Sequence, residues 1–317
     1  MTETHRAAGA PRADDADAIT VIPLRRPGRW LSAAVIVVLL AVLAYSVATN
    51  PRFGWGIVGD FFTSDAILIG LARTLELTVI AMLVGIALGV LIAVMRQSGN
   101  PLLSTASGVY VSVFRGTPLL VQLLFWFNFA ALYPQISIGL PFGPTLQVGS
   151  VNDLITPFAA AILGLGLNEG AYMSEIVRAG ILSVDHGEVE AAYALGLRKS
   201  TVMRRIVLPQ ALRVIVPPTG NELITTLKNT SLVSVISLPE LLYSTQLIYS
   251  KNFEVIPLLI VASLWYLIVT TLLTVGQHYL ERHLGSEQPK QEAGLWSRLR
   301  RALDPDESRP IGDTLHR

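Results

Sequence analysis

The chain has 317 residues, of which 51% are hydrophobic and 15% are charged, and it contains no cysteine. Soluble domains carry about 25% charged residues, so the low charge and a mean hydropathy of +0.52 indicate a membrane protein. The lack of cysteine excludes disulfides and thiolate metal or redox sites. The net charge of +1 gives no overall field that would favour nucleic acid.

The N-terminal region divides into a polar part and an apolar part. Residues 1–29 are polar and rich in small residues, a composition typical of a disordered tail. Residues 30–49 are almost uncharged and are long enough to span a membrane. Residues 46–48 resemble a signal-peptide cleavage site, but a signal h-region has only about 7–15 apolar residues. A retained extra span is therefore favoured over a cleaved signal, with residues 50–66 as an external linker.

Five further apolar segments follow. They cover residues 67–95, 102–133, 158–184, 217–238 and 255–284. The segment at 217–238 is the least apolar, because it contains Asn221, Glu222, Lys228 and Asn229. Together with the first span, these segments predict an all-α membrane protein with about six transmembrane helices.

The distribution of basic residues orients these spans. Arginines precede the first span, five basic residues lie in 185–213, and others follow residue 281. The loop at 134–156 contains no lysine or arginine. Because basic loops remain in the cytoplasm, we expect a multi-pass membrane protein with both termini cytoplasmic. Residues 134–156 are then external, and 285–317 form a cytoplasmic tail.

The cytoplasmic loop at 186–209 has helix signals of its own. Residues 188–195 favour a short helix with acidic residues at its start, where the helix dipole favours them, and Gly196 fits a helix C-terminal stop. Ser200 is predicted to cap a second short helix that Pro209 disturbs. The apolar residues of this second helix are expected to rest on the membrane domain. They are Val202, Ile206 and Leu208. Two short helices in this arrangement form a compact knob suited to docking on a partner.

The same loop resembles the EAA loop of bacterial ABC import permeases, the binding-protein-dependent type-1 importers. The alternative is an ordinary amphipathic loop, but all the expected residue types occur at the expected spacing. In that family the loop forms a coupling helix that sits in a groove of the ATPase subunit. The resemblance implies a set of ATPase-coupling residues. They are Glu188, Glu190, Ala191, Ala192, Gly196, Ile206, Leu208 and Pro209.

Further segments resemble the polar amino acid (histidine/glutamine/arginine-type) permease subfamily. They are TLELT at 74–78, FRGTPL at 114–119 followed by Gln122, and AY, EI and RAGI within 171–181. The resemblance covers residues 71–284 and implies a five-helix permease domain at 67–284, to which the first span is an addition. Glu169 departs from the pattern, since the family commonly has a small residue there.

Polar residues of the fourth span form a stripe. With a turn of about 100° per residue, Asn168, Tyr172 and Glu175 share one face, flanked by Glu169 and Arg178. Intramembrane charges usually face a cavity or a partner, and an amino acid offers both an ammonium and a carboxylate. The alternative is that Glu175 and Arg178 simply pair along the helix. Glu169 suits a cationic amino acid if it faces a cavity; the alternatives are that it pairs with Arg178 or lies elsewhere.

Two groups of candidates result. The substrate-path candidates are Gln122, Asn168, Glu169, Tyr172, Glu175 and Asn221. The structural or gating candidates are Arg115, Arg178 and Lys228.

Motifs for catalysis are missing from the chain. None of the four lysines follows a glycine, so there is no phosphate-binding loop of the G-x-x-x-x-G-K type. There is also no H-E-x-x-H or G-x-S-x-G motif. We therefore expect a non-catalytic subunit without a cofactor, in which a partner ATPase holds the ATP and Mg.

The resemblance implies ABC ATPase subunits, an extracytoplasmic amino-acid-binding protein, a second permease copy (identical or related) and membrane lipid as partners. The function it implies is alternating access for a polar amino acid. Two other hypotheses stay open. An ion-coupled secondary transporter would use the intramembrane charges, although no inverted repeat is visible. A non-transporting scaffold would only dock an ATPase.

Overall fold

The computed structural model describes residues 27–139 and 145–283. The chain divides into two compact units, residues 1–53 and 54–317. The first unit contains helix α1 (Pro27–Thr49), followed by a 3-10 turn at Pro51–Phe53. α1 is apolar around its whole circumference, which is typical of a membrane span. Most of the predicted tail at 1–29 lies outside the described residues.

The second unit is built almost entirely of helices. In chain order they are α2 (Trp55–Phe62), α3 (Asp65–Arg96), α4 (Pro101–Gly116), α5 (Leu119–Phe127), α6 (Val151–Leu154), α7 (Pro157–Leu182), α8 (His186–Ala194), α9 (Lys199–Val202), α10 (Leu208–Asn229), α11 (Leu241–Asn252) and α12 (Val255–His283). A π-helical turn, Met203–Val207, joins α9 to α10, and the 3-10 segment Thr230–Ile236 follows α10.

Several helices are long and apolar enough to cross a membrane. α3 and α12 pass this test, as does α1 from Leu31 onward. Two bent pairs also pass: α4 with α5, bent by 102°, and the helix from Lys199 to Ile236 with α11, bent by 43°. α7 has 26 residues and is long enough, but it contains more polar residues. All six segments predicted from the sequence are therefore helical.

α7 lies at the centre of the second unit and packs against α3, α4, α5 and α10. Its contact with α3 is close because α3 contributes glycines. A Cβ atom at Gly85 would lie 2.8 Å from Cβ of Glu169, and one at Gly89 would lie 2.5 Å from Cβ of Met173. Small residues at helix contacts allow backbones in a membrane to approach closely. The α3–α7 pair thus fixes the position of the polar stripe.

The loop between α5 and α7 contains a short hairpin that the sequence interpretation did not predict. β1 (Gln135–Gly139) pairs antiparallel with β2 (Thr145–Ser150), with Gln135 opposite Ser150 and an irregularity between Ile136 and Ser137. The prediction for this loop rested on its lack of basic residues, which indicates a side of the membrane and gives no secondary structure.

The second helix of the loop at 186–209 differs from its prediction. It begins at Lys199 with Arg198 at the N-cap position, so the prediction that Ser200 caps it is wrong. It also continues through the π turn into α10, with Pro209 in the first turn of that helix. The π turn lies immediately before this proline, which has no N–H to donate to the preceding turn, so the widened turn accommodates it.

Candidate functional site

The loop at 186–209, which we call the coupling loop, takes its shape from hydrogen bonds between residues that are close in sequence. Asp185 caps α8, since its Oδ1 accepts from the Gly187 N–H at 2.6 Å. At the other end Gly196 adopts a left-handed conformation with φ +77°. The Gly196 N–H donates to the Tyr193 carbonyl at 2.9 Å, and the Leu197 N–H donates to the Ala192 carbonyl at 3.1 Å. This pair of bonds is a Schellman motif, so the predicted stop at Gly196 is confirmed.

The loop has one buried side and one exposed side. Ala192, Val202 and Val207 are buried in a cluster that includes Val177 of α7 and Ala211 of α10. The loop therefore packs directly on two helices of the membrane domain.

The exposed side presents an apolar surface that we call the loop patch. It consists of Tyr193, Leu195 and Leu197, with Leu195 81% exposed. Glu190 and Ala191 are also exposed beside it. Three apolar side chains are thus exposed together beside polar residues of the loop.

Three predicted coupling residues lie at the start of α10. Ile206 is partly buried on the cluster, but Leu208 is 42% exposed, so the expectation that Leu208 rests on the membrane domain is wrong. The π turn adds a residue to the helical turn and brings Val207 inward instead. Pro209 is exposed, and Gln210 donates to the Glu188 carboxylate, which ties α8 to α10.

Two of the substrate-path candidates, Gln122 and Asn168, form hydrogen bonds at the break between α4 and α5. Nε2 of Gln122 lies 2.9 Å from the Phe114 carbonyl and 3.1 Å from the Thr117 carbonyl. Nδ2 of Asn168 donates to the same Phe114 carbonyl at 2.9 Å. Both amides are buried, with exposures of 7% and 8%. They satisfy backbone groups that the broken helix leaves open, as a membrane interior requires.

Glu175 is held in an ion-pair network at one end of α7. Its carboxylate accepts from Arg96 of α3, and also from Arg178 at 2.8 Å. The alternative that Glu175 pairs along its own helix is therefore present in the structure. Nearby, the Arg115 guanidinium lies 5.1 Å from the centre of the Tyr172 ring, within range of a cation–π interaction. The sequence interpretation did not place Arg96 in this network.

Glu169 is different from the rest of the stripe. Its side chain is only 5% exposed, and one oxygen, Oε2, accepts from the Thr226 hydroxyl of α10 at 2.9 Å. The other oxygen, Oε1, is buried and has no hydrogen-bond partner among the described residues. Within 27–139 and 145–283 no lysine or arginine lies within 4.0 Å of this carboxylate. Arg178 binds Glu175, so the alternative pairing of Glu169 with Arg178 does not occur.

A second carboxylate, that of Glu222, lies on the face of α10 that carries Thr226. Glu222 precedes Thr226 by one helical turn, so the two residues share a face, and Glu222 interacts electrostatically with both Glu169 and Arg115. Asn221 and Lys228 lie on an exposed face of α10 together with Thr225. Polar side chains exposed on a membrane helix usually face a cavity or a partner rather than lipid.

Two residues that matter at Glu169 were not singled out from the sequence: Thr226 and Gly85. The spacing of Gly85 and Gly89 is a small-residue pattern that could have indicated a close helix contact. Nothing local points to Thr226, which lies 57 residues from Glu169. In the described part of the chain, no group of three or more His, Asp or Glu residues is placed to hold a metal ion.

These features define a multi-spanning helical membrane protein with a broken helix, a buried carboxylate and a loop that exposes apolar side chains. Residues 85–286 match the family described as "Binding-protein-dependent transport system inner membrane component", and the chain belongs to this family. The resemblance inferred from the EAA loop is confirmed, as are the predicted helical class and the role as a transport permease component.

Relatives with assigned names agree with this. The chain is 45% identical over 285 residues to the arginine transport system permease protein ArgU of Corynebacterium glutamicum, which covers 89% of this chain and 88% of the relative. It is 38% identical to the L-cystine permease TcyB of Bacillus subtilis, covering 68% and 85% of the two chains. It is 35% identical to the glutamine permease GlnP of Escherichia coli K12, covering 68% and 91%. The match to ArgU covers 285 residues, which is more than residues 67–317 contain. It therefore extends into the segment before residue 67.

Two solved structures are similar in fold. A crystal structure of an amino acid ABC transporter with histidines is 34% identical, with a TM-score of 0.59, and covers 69% of this chain and 94% of that chain. The inward-facing MetNI methionine ABC transporter is 19% identical with a TM-score of 0.51, covering 70% and 99%. The second similarity is one of fold alone.

Proposed function

We propose that this chain is the membrane permease subunit of an ATP-driven importer for amino acids with a cationic side chain. Glu169 carries the choice of substrate class. A buried carboxylate with one unpartnered oxygen is costly in a membrane interior, and a guanidinium or ammonium group from a substrate would satisfy it. The likeness to an arginine permease, at 45% identity, supports the same class.

The path for the substrate runs beside α7, α10 and the α4–α5 break. Glu169 and Glu222 supply negative charge on one side of this region, and Arg115, exposed at the end of α4, supplies positive charge. Such an arrangement suits a zwitterion with an added cationic group. The exposed polar face of α10, with Asn221 and Lys228, then lines the path together with a second permease copy, identical or related.

Energy enters through the coupling loop. The loop patch docks on a separate ATPase subunit, which binds ATP and Mg, and the buried side of the loop moves with it. Because Ala192, Val202 and Val207 pack on α7 and α10, closing of the ATPase subunits displaces these two helices. This displacement switches the path between inward-open and outward-open states, and an extracytoplasmic binding protein delivers the substrate.

The orientation follows from the same assignment. The loop patch docks on the ATPase subunit, which binds ATP in the cytoplasm. The end of α3 at Arg96 and the ends of the chain therefore lie on the cytoplasmic side as well. The β1–β2 hairpin then lies outside, where a binding protein approaches. The density of basic residues in 185–213 supports this orientation.

The test is uptake into proteoliposomes that contain the full-length permease with its partner ATPase and binding protein. We expect uptake of labelled arginine that requires ATP and both partners, with citrulline, its neutral isostere, taken up far more slowly. Uptake that persists without the ATPase, driven by an ion gradient, would contradict the importer assignment. ATP-driven uptake of citrulline equal to that of arginine would contradict the cationic class alone.

A further inference from the structure

A cavity of about 500 Å³ lies between α2, α3 and α11, away from the region around Glu169. Its wall is mostly apolar, with Phe61 from α2, Ile69 from α3, and Leu247 and Ile248 from α11. Ile69 is 60% exposed and Leu247 is 44% exposed, so the apolar wall is open on one side. An open apolar wall on a membrane helix is in contact with lipid chains.

Two cations line the same cavity, Arg73 on α3 and Lys251 near the end of α11. Among the described residues no carboxylate lies within 4.0 Å of either side chain, and neither donates a hydrogen bond within that part of the chain. The proposed transport path does not use them. The cavity therefore combines an apolar wall with two positive charges that lack a counter-charge in the described part of the chain.

The depth of these cations fits the boundary of a membrane. α3 has 32 residues and is about 48 Å long, so it exceeds the hydrocarbon core of about 30 Å by several residues at each end. Arg73 lies eight residues into α3, about 12 Å from its start, where its long side chain reaches the headgroup level.

Aromatic residues lie where α2 ends, just ahead of α3. Phe62 at the end of α2 stacks on Trp265 of α12, with ring centres 4.8 Å apart, and the indole N–H of Trp265 donates to the Phe62 carbonyl at 2.8 Å. Tryptophan is enriched at membrane–water interfaces. α2 is short and begins with Trp55, as an interfacial helix does.

We propose that this cavity binds one anionic phospholipid. The phosphate of the lipid pairs with Arg73 and Lys251, and one acyl chain lies along Ile69 and Leu247. A phospholipid fits because its charge and its chain are joined at the interface, as the cations and the apolar wall are joined here. An anionic lipid is favoured over a zwitterionic one because the latter brings a second cation to a site that already has two.

The test uses the purified full-length permease complex in detergent and native mass spectrometry after incubation with lipids that have identical acyl chains. We expect phosphatidylglycerol to be retained at least tenfold more than phosphatidylcholine. The double variant Arg73→Gln, Lys251→Gln should remove this preference. A matched control with the same loss of charge elsewhere, Arg213→Gln with Arg282→Gln, should keep it.

Equal retention of the two lipids by the unaltered protein would overturn the proposal, and this comparison stands even if the double variant does not fold. Undiminished preference in a correctly assembled double variant would overturn it as well. Displacement of the lipid by millimolar glycerol phosphate would show a site for a free phosphate rather than for a lipid, and would also overturn it. No displacement by glycerol phosphate supports the lipid assignment.

Discussion

The coupling loop and the polar stripe of α7 are held in place by different kinds of contact. In the loop, the bonds that cap α8 join residues two to five positions apart, such as Asp185 with Gly187 and Leu197 with Ala192. In the stripe, Asn168 binds Gln122 at a separation of 46 residues, and Arg96 binds Glu175 at a separation of 79. The loop can thus keep its shape whether or not a partner is bound to it. The arrangement of the stripe, in contrast, depends on the packing of several helices.

This difference gives each region its own sensitivity to substitution. Changes in the stripe should first affect assembly of the helices, because its contacts are long-range. Changes in the loop should first affect coupling, because its shape is local and its exposed side meets a partner. The following predictions separate the two regions, from the largest expected effect on stability to the smallest.

The largest effect is expected for Gly85→Val. The new side chain would overlap Glu169, since even a Cβ atom would lie 2.8 Å from Cβ of that residue. We expect a loss of about 3 kcal/mol from overpacking and little assembled complex. The measurement is the yield of monodisperse complex by size-exclusion chromatography and its melting temperature.

Gly108→Val is the matched control for this prediction. Gly108 is also a helical glycine, but a Cβ atom at this position would have no neighbouring atom within 4 Å. Because valine is a slightly better helix former than glycine, this variant should keep its stability or gain roughly a few tenths of a kcal/mol. Similar yields for the two variants would show that the α3–α7 contact is not critical for assembly.

A smaller effect is expected for Gln122→Leu. This change keeps the volume but removes the donor that serves the Phe114 and Thr117 carbonyls. The Phe114 carbonyl keeps its bond from Asn168, but the Thr117 carbonyl loses this donor and Asn168 loses the Gln122 acceptor. A polar group left without a partner in the bundle costs about 1–3 kcal/mol. Thermal unfolding should show a clear decrease in melting temperature, whereas Gln97→Leu, at an exposed helix end, should change it little. Equal shifts would mean that the α4–α5 break does not depend on this amide.

The smallest effect on stability but a large effect on coupling is expected for Gly196→Asp. A residue other than glycine at φ +77° costs about 1 kcal/mol, so the complex should still assemble. The added charge beside the loop patch should weaken docking, so that ATP hydrolysis continues while uptake falls. Gly196→Asn, which has the same shape without the charge, should retain more uptake. Full uptake by the Asp variant would contradict the coupling role.

Local signals allowed several parts of this molecule to be predicted. The helix stop at Gly196 and the Glu175–Arg178 ion pair each depend on residues close together in sequence, and both are present. The apolar segments marked the helices. Ser200 was wrongly predicted as the cap because the helix begins two residues earlier than expected, at Lys199, and continues into α10. A capping signal of a few residues does not reveal this continuation.

The surroundings of the buried carboxylate could not be predicted in the same way. The sequence marked Glu169 as unusual, but it left open whether Arg178 neutralises it. That question is decided by Arg96, which joins Arg178 on Glu175, and by Thr226, which binds one oxygen of Glu169. Both partners come from other helices, so only the packed bundle defines which oxygen stays free.

We propose that the unpartnered oxygen of Glu169, Oε1, selects substrates with a cationic side chain. A suitable control is Glu240, which is also fully buried but whose oxygens accept from the Leu242 and Tyr243 N–H groups and the Tyr266 hydroxyl. Replacing Glu240 by Gln should affect assembly without favouring one substrate over another. The binding protein is the same in every assay, so its own selectivity cancels when variants are compared.

The most direct measurement is therefore the ratio of ATP-driven arginine uptake to citrulline uptake in proteoliposomes for the unaltered protein, Glu169→Gln and Glu240→Gln. A hydrogen bond to a charged group contributes about 1.5–3 kcal/mol, so the ratio should fall about tenfold or more in Glu169→Gln and stay unchanged in Glu240→Gln. An unchanged ratio in an assembled Glu169→Gln complex that still transports arginine would contradict the account.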